Sequence, residues 1–414
     1  MGFHHKSIKI VKLKRSLSLL DATVCGIGII LGAGIYALIG VASGYAGNTL
    51  WLSFVLAAIM SIFTGLSYAE LSSIFKSDST EYEYTKRAFN KTIATLIGIL
   101  VVFTGIFAAA TVSIGFANYL NAMTGLSVLF IAISVIILLS FVNFLGIKFS
   151  VAMTWISTII ELIGLLIIII LGMNNLGSTD LLAFENGFSG VLKATALVFF
   201  AFIGFESVVK LSEETKNPNK NIPKALLLSI FITTILYVLV AISAVSMLSY
   251  EKLSVSKAPL AEAASVSLGS FGNIAFFVLA IIALFSTLNT VLLSLVTSSR
   301  LTYGLAEQNA IPKKFGEVHP KTRTPWLAVF LIGIITLVFV FFESIEIVAN
   351  ITNISIFLTF AFVNASLLIL RYKINPDRVK FKVRFLSIGK FSVIALLGLL
   401  TSALMMVYSI INLI

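Results

Sequence analysis

Long apolar runs separated by short polar connections dominate the chain, and each run can cross roughly 30 Å of hydrocarbon as a helix of about 20 residues. Eleven such segments recur from end to end: Leu19–Ser43, Asn48–Leu71, Thr92–Leu120, Leu126–Gly146, Phe149–Leu171, Gly190–Val209, Ala225–Leu248, Phe271–Tyr303, Trp326–Phe342, Ile345–Leu370 and Phe391–Leu413. Only Glu343, Ser344 and Glu346 part the ninth from the tenth. The pattern predicts an all-α integral membrane protein of about eleven transmembrane helices. Composition agrees, since 58% hydrophobic and 11% charged residues over 414 positions leave too little polar surface for a soluble fold of this size.

Two of these segments are interrupted where an interruption is most expensive. "GIGIILGAGIYALIG", Gly26 to Gly40, carries five glycines inside the first segment, and "FFAFIGFES", Phe199 to Ser207, breaks the sixth around Gly204 with Glu206 two residues on. An unpaired backbone group in lipid costs several kcal/mol, so an unwound stretch at mid-membrane persists only where it lines a cavity or meets a ligand. Packing of the small-xxx-small kind is the alternative for the first segment alone, and Gly28 with Gly32 fits it. The matching position of the breaks in two five-helix halves, 1–172 and 173–372, followed by one extra helix in 373–414, points instead to the inverted-repeat transporter plan. The half-helix that starts after Gly32-Ala33-Gly34 would offer N–H groups and a positive dipole end to a carboxylate. Freed carbonyls near Phe202–Phe205 would suit an α-ammonium.

Charge fixes an expected orientation. With a cytoplasmic N-terminus, 26 of the 29 Lys and Arg residues fall in inside segments, and only Lys193, Lys252 and Lys257 fall outside. An odd number of crossings then leaves the C-terminus extracellular, in a multi-pass protein of the cell's plasma membrane. Because these residues are scattered over six segments facing the anionic leaflet, the net charge of +11 does not describe a nucleic-acid surface. The basic start leads into a run too long for an excised signal, so it is expected to be retained. The lone Cys25 and the scattered His4, His5 and His319 give no disulfide framework, no metal-ligand spacing and no cofactor. A membrane enzyme would need paired acids or a nucleophile with a base at membrane depth. A channel would need a continuous polar stripe rather than two glycine breaks.

The stretches "GIGIILGAGIY", "LSYAELSS", "TEYEYTKRAF", "VFFAFIGFESVVKLSEETKNPNKNIPKAL" and "SRLTYGLAEQNAIPKKF" resemble, in order, the signatures of the amino acid–polyamine–organocation (APC) permeases, near the amino-acid permease and cationic-amino-acid-transporter-like branches. The resemblance implies a leucine-transporter-type fold of two inverted five-helix repeats and alternating access. Members of the family usually carry two helices beyond the ten of the core; this chain has one, which bears on oligomeric contacts rather than on the core. It further implies that Gly32, Ala33, Gly34 and Ile35 give amide donors to a substrate carboxylate, and that Phe202, Ile203 and Phe205 give carbonyls to its amine. Phe200 matches an aromatic gate, and Glu206 a proton-responsive glutamate, for which a structural acid bonded to freed backbone is the alternative. The side chain carried stays open, because Ala33, Phe200 and Phe205 suit many, and neither monomer nor homodimer is singled out.

Glu161 lies midway along the fifth segment, where an unpaired charge costs at least ~2.5 kcal/mol. In several permeases that the chain resembles, the aligned place holds a lysine standing in for a sodium ion. Here Ser286, Asn289 and Thr290 of the eighth segment, with the carbonyls of Gly28 and Leu31, would complete either a sodium cage or the surroundings of an acid that cycles a proton, a protonated glutamate hydrogen-bonded to the first or eighth segment for packing being the alternative. Proton coupling is the expectation, with sodium symport and exchange as alternatives. Two cytoplasmic stretches complete the reading: "EETKNPNKNIPKAL", a hinge candidate, predicts a helix end, a turn and a restart at Pro223, and "YEYTKRAF", which resembles the family's gate-proximal amphipathic loop, is expected to be an interfacial helix rather than a substrate site.

Overall fold

The computed structural model describes residues 17–75, 80–146, 151–213, 215–375, 379, 381–383 and 387–413. The basic start up to Arg15, together with Lys76, Lys148, Arg378, Lys380 and Arg384, which entered the orientation count, lies outside them.

Among the described residues fifteen α-helices follow in order: α1 Leu19–Ile30, α2 Gly34–Ala46, α3 Leu50–Ile74, α4 Thr80–Ala88, α5 Lys91–Thr124, α6 Val128–Leu145, α7 Val151–Met173, α8 Gly187–Val198, α9 Pro218–Met247, α10 Tyr250–Val255, α11 Pro259–Leu268, α12 Gly272–Glu307, α13 Trp326–Val340, α14 Ile345–Lys373 and α15 Val393–Leu413. Between α14 and α15, β1 (Ser387–Ile388) pairs antiparallel with β2 (Phe391–Ser392) around a turn in which Gly389 takes a positive φ of 61°. That hairpin is the one sheet among the described residues, and a lone parallel bridge joins Leu17 to Thr215.

Among the described residues, eight helical runs suffice by length and composition to cross a membrane, and Leu19–Ile30, Thr158–Met173 and Trp326–Val340 are shorter apolar helices beside them. Several turn outward faces of large apolar side chains at helical spacing. Ile274, Phe277, Val278 and Ile281 form one on α12; Phe330, Ile334 and Val338 another on α13; Leu400, Leu404, Val407 and Ile411 a third on α15. Only hydrocarbon tolerates such stripes in a monomer, so the protein is a multi-pass membrane protein.

Local sequence sets the ends. Ser18 and Asp21 form a capping box on α1, Asn90 accepts from the Ile93 N–H at 2.9 Å to start α5, and Gly125 and Gly146 end α5 and α6 in the left-handed region. The restart expected at Pro223 is corrected: α9 begins at Pro218, its first helical residue, and Pro223 lies inside it. Pro218 needs no N–H there, and Pro223 forfeits only one bond near the helix start.

The core is held by polar contacts as well as apolar ones. Asn364 of α14 donates to Thr64 Oγ1 at 3.0 Å and accepts from Ser67 Oγ at 2.6 Å on α3. At one end of the same pair of helices, Arg371 grips Glu70 bidentately at 2.6 and 2.7 Å, and both are buried. The Val383 N–H adds a third bond to Glu70, and Arg371 reaches the Val383 carbonyl, pinning the segment after α14.

Candidate functional site

The first transmembrane element is two helices with a gap. Leu31 ends α1 at ψ 57°, the Gly32 N–H turns back onto the Ile30 carbonyl at 2.6 Å, and α2 starts at Gly34. In the sixth, α8 gives way to 3₁₀ turns at Phe199–Phe202 and Phe205–Glu213, separated by extended Ile203 and by Gly204 at φ 120°. The two gaps touch. A β-carbon at Gly204 would stand 3.0 Å from the Ile29 carbonyl oxygen, and one at Gly34 would stand 2.7 Å from the Ala201 α-carbon.

The carbonyls freed by unwinding find donors on neighbouring helices. The Tyr237 hydroxyl of α9 lies 2.9 Å from the Ile30 carbonyl and 3.1 Å from that of Ala201, so its single proton serves one break at a time. The Asn353 side chain of α14 donates to Ala196 and Leu197 at the end of α8. Glu206 accepts the Gly204 N–H at 2.9 Å.

A cavity of about 430 Å³ adjoins both gaps. On its wall stand Gly28, Gly32, Ala33, Gly34, Glu161, Phe200, Ile203, Glu206, Asn289 and Thr290, ten of the residues singled out from the sequence. Leu31, Ile35, Phe202, Phe205 and Ser286 do not reach it. Phe202 packs its ring on Tyr237, Phe205 packs on Phe360, and all five are buried. The Ala33 N–H is engaged, donating to Thr290 Oγ1 at 3.3 Å. Gly34 and Ile35 occupy the first turn of α2, where an α-helix leaves N–H groups without an internal acceptor. Glu161, 2% exposed, sits beside Ser286, whose hydroxyl forms no bond of good geometry.

Other wall residues escaped sequence reasoning. Thr158, one turn before Glu161, and the hydroxyls of Thr104, Thr297, Ser298 and Thr359 make the wall richer in oxygen than the motifs suggest. Glu81 is the larger surprise. The segment expected at the lipid interface is helical, but α4 packs against the bundle, with Tyr82 and Tyr84 buried and Glu81 on the cavity wall. Tyr84 rests against Tyr68 and Phe75, aromatic partners in α3 and just past its end that draw the helix away from lipid. Glu81, Glu161 and Glu206 thus share one wall, and among the described residues no Lys, Arg or His joins them.

The cavity is lopsided along the helices. Its wall on α5 runs over Val101–Ala108 and on α12 over Asn289–Leu301, toward the end marked by Lys91 and Glu307. At the opposite end, the Tyr45 hydroxyl donates to the Glu346 carboxylate, and Lys193 Nζ stands 3.9 Å from the Tyr45 ring centroid. These contacts join α2, α14 and α8.

Comparison with known proteins supplies the family. The chain is 30% identical to the branched-chain amino acid permease BcaP of Bacillus subtilis over 388 residues, covering 88% of this chain and 82% of that one. It is 28% identical to the methylthioribose transporter of the same organism, covering 91% and 85%. With mouse cationic amino acid transporter 4 the identity is 30%, over 87% of this chain and 60% of the relative. A profile described as "Amino acid permease" matches residues 17–413. Broken helices, a shared cavity and a match along nearly the whole chain agree: the protein belongs to the amino acid permease family, within the APC superfamily, a family of transporters rather than enzymes.

Proposed function

We propose that the protein is a secondary active transporter that carries an amino acid across the plasma membrane by alternating access and couples the movement to protons. Two inverted five-helix repeats, 1–172 and 173–372, would bring α1–α2 and α8 with its 3₁₀ continuation into register, with 373–414 contributing an extra helix and eleven crossings in all. One observation carries the reading: the two glycine breaks touch each other and open onto one cavity that also holds Glu161. The α2 N-terminus is a ready site for the substrate carboxylate. An acid at membrane depth that stays neutral until protons exchange avoids the penalty of a buried charge. The relatives' printed substrates, a branched-chain amino acid, methylthioribose and cationic amino acids, support a small polar cargo and leave its side chain open.

Oxygens of Glu161, Thr158, Asn289 and Thr290 on one wall favour sodium as the second reading. Reconstitution in proteoliposomes separates the two. Uptake of labelled amino acid against its gradient should depend on an inward pH gradient and not on sodium, and Glu161→Gln should lose that pH dependence while still binding substrate. Sodium-dependent uptake would overturn proton coupling, an unchanged Glu161→Gln variant would return the residue to packing, and passive equilibration alone would overturn secondary active transport and favour a channel.

A further inference from the structure

We propose that the half of the cavity nearer α4 is a subsite for a second ammonium, so that the cargo is an amino acid whose side chain ends in a protonated amine. The proposal rests on the transporter reading above and names the cargo class of that site.

The observation behind it is Glu81. Its residue is 3% exposed, yet it belongs to the cavity wall. Two hydroxyls already donate to its carboxyl group, Tyr68 at 3.2 Å and Thr80 at 2.8 Å, which fixes the group's orientation and uses part of a carboxylate's four acceptor positions. Tyr68 also packs edge-on against Phe205, next to Glu206, so one tyrosine ties together the elements that carry both acids. Glu81 makes no ion pair with any described cation. Buried carboxylates are held by a counter-charge or a dense set of donors, and here the wall supplies no cationic side chain among the described residues.

An independent feature points the same way. Ser298, 1% exposed and on the same wall, has a hydroxyl without any hydrogen-bond partner. It lies against Gly105 of α5, where a β-carbon would stand 2.1 Å from the hydroxyl oxygen, so the missing side chain leaves that oxygen the space it occupies on the wall. A buried hydroxyl left unsatisfied is unfavourable unless a ligand completes it. An ammonium has three donors and no acceptor, and a carboxylate with hydroxyl oxygens around it matches that demand. Glu161 and Glu206 remain for coupling and for the backbone of the break, so Glu81 is the acid left over for the cargo.

Lysine and norleucine provide the test, because they share a four-carbon side chain and differ in the terminal ammonium. Purified protein in nanodiscs, titrated calorimetrically, should bind lysine at least about 10-fold tighter than norleucine. Glu81→Gln preserves shape but keeps one acceptor oxygen, so it retains the Tyr68 or the Thr80 bond and not both, and it should cut the lysine-to-norleucine ratio by a similar factor. Ser298→Ala should lower that ratio by a smaller step, and keeps the test decisive if the Glu81 variant does not fold. Equal binding of both ligands to the unaltered protein, or a ratio untouched in either variant, would overturn the ammonium subsite while leaving an amino-acid carrier intact. Binding of neither ligand, nor of any other amino acid, would overturn the carrier reading together with the subsite.

Discussion

Gly34 shows how little latitude a single position can have. Its missing side chain lets the start of α2 rest on Ala201, and one β-carbon would stand 2.7 Å from the Ala201 α-carbon and 3.2 Å from its nitrogen, backbone atoms that cannot rotate away. Gly34→Ala is therefore expected to spread the two breaks, to destabilise the protein by about 1–3 kcal/mol as overpacking does, and to abolish substrate binding while insertion continues. Thermal unfolding in detergent and uptake by vesicles measure both, and normal uptake would refute the role of the break. Tyr237 is the complementary case, since its value lies in one hydroxyl shared by two freed carbonyls. Tyr237→Phe leaves the ring packing on Phe54 and Phe202 and removes the donor, with an expected loss of about 1–3 kcal/mol for an orphaned buried acceptor. A melting temperature equal to that of the unaltered protein would show that water substitutes. Nothing in the sequence distinguished Tyr237 from its tyrosine neighbours, because its importance comes from which carbonyls the unwinding exposes. The glycines were legible, because their cost in a membrane helix demands a reason.

At the scale of elements, the Glu70–Arg371 clamp joins α3 to α14 and to the segment around Val383. Removing one partner leaves a buried charge, so Arg371→Met alone should cost about 3–5 kcal/mol, whereas the double replacement Glu70→Leu with Arg371→Met should cost much less. Chemical or thermal unfolding of the three proteins gives the coupling directly, and additive losses would mean that the pair acts as two separate contacts. Helix positions were readable from hydropathy to within a few residues over most of the chain, as α6, α13 and α15 show. The exceptions have local causes. Pro218 sits at the first helical residue behind Asn217 in the left-handed region, and this turn, not Pro223, starts α9. The helix α4 reads as an interfacial element because its alternating tyrosines and charges lack any long apolar run; only the aromatic pocket formed with Tyr68 and Phe75 reveals that it belongs to the bundle. Glu81 was hidden for the same reason, since a charged residue in a charged loop carries no sign that it faces a cavity.

For the molecule as a whole, the proposed inside start and eleven crossings would put the C-terminus outside. A reporter fused after Ile414 should be labelled on intact cells, and protection from label would show that the crossings are miscounted. The cavity would then face the cytoplasm, with the Lys193–Tyr45–Glu346 contacts on the outer side. A different consequence follows from the contact between the breaks, where Gly204 meets Ile29 and Gly34 meets Ala201 with no room to spare. Two levers touching at one point can tilt about that point but cannot slide past it, so displacement grows with distance along each arm and is smallest at the glycines. A cross-linker joining positions 45 of α2 and 193 of α8 spans the outer ends of these arms and should arrest turnover, whereas a tether of the same length placed beside the breaks should be tolerated. The fulcrum of the proposed rocking carrier would thus be its least mobile part, although it is built from the residues with the greatest conformational freedom.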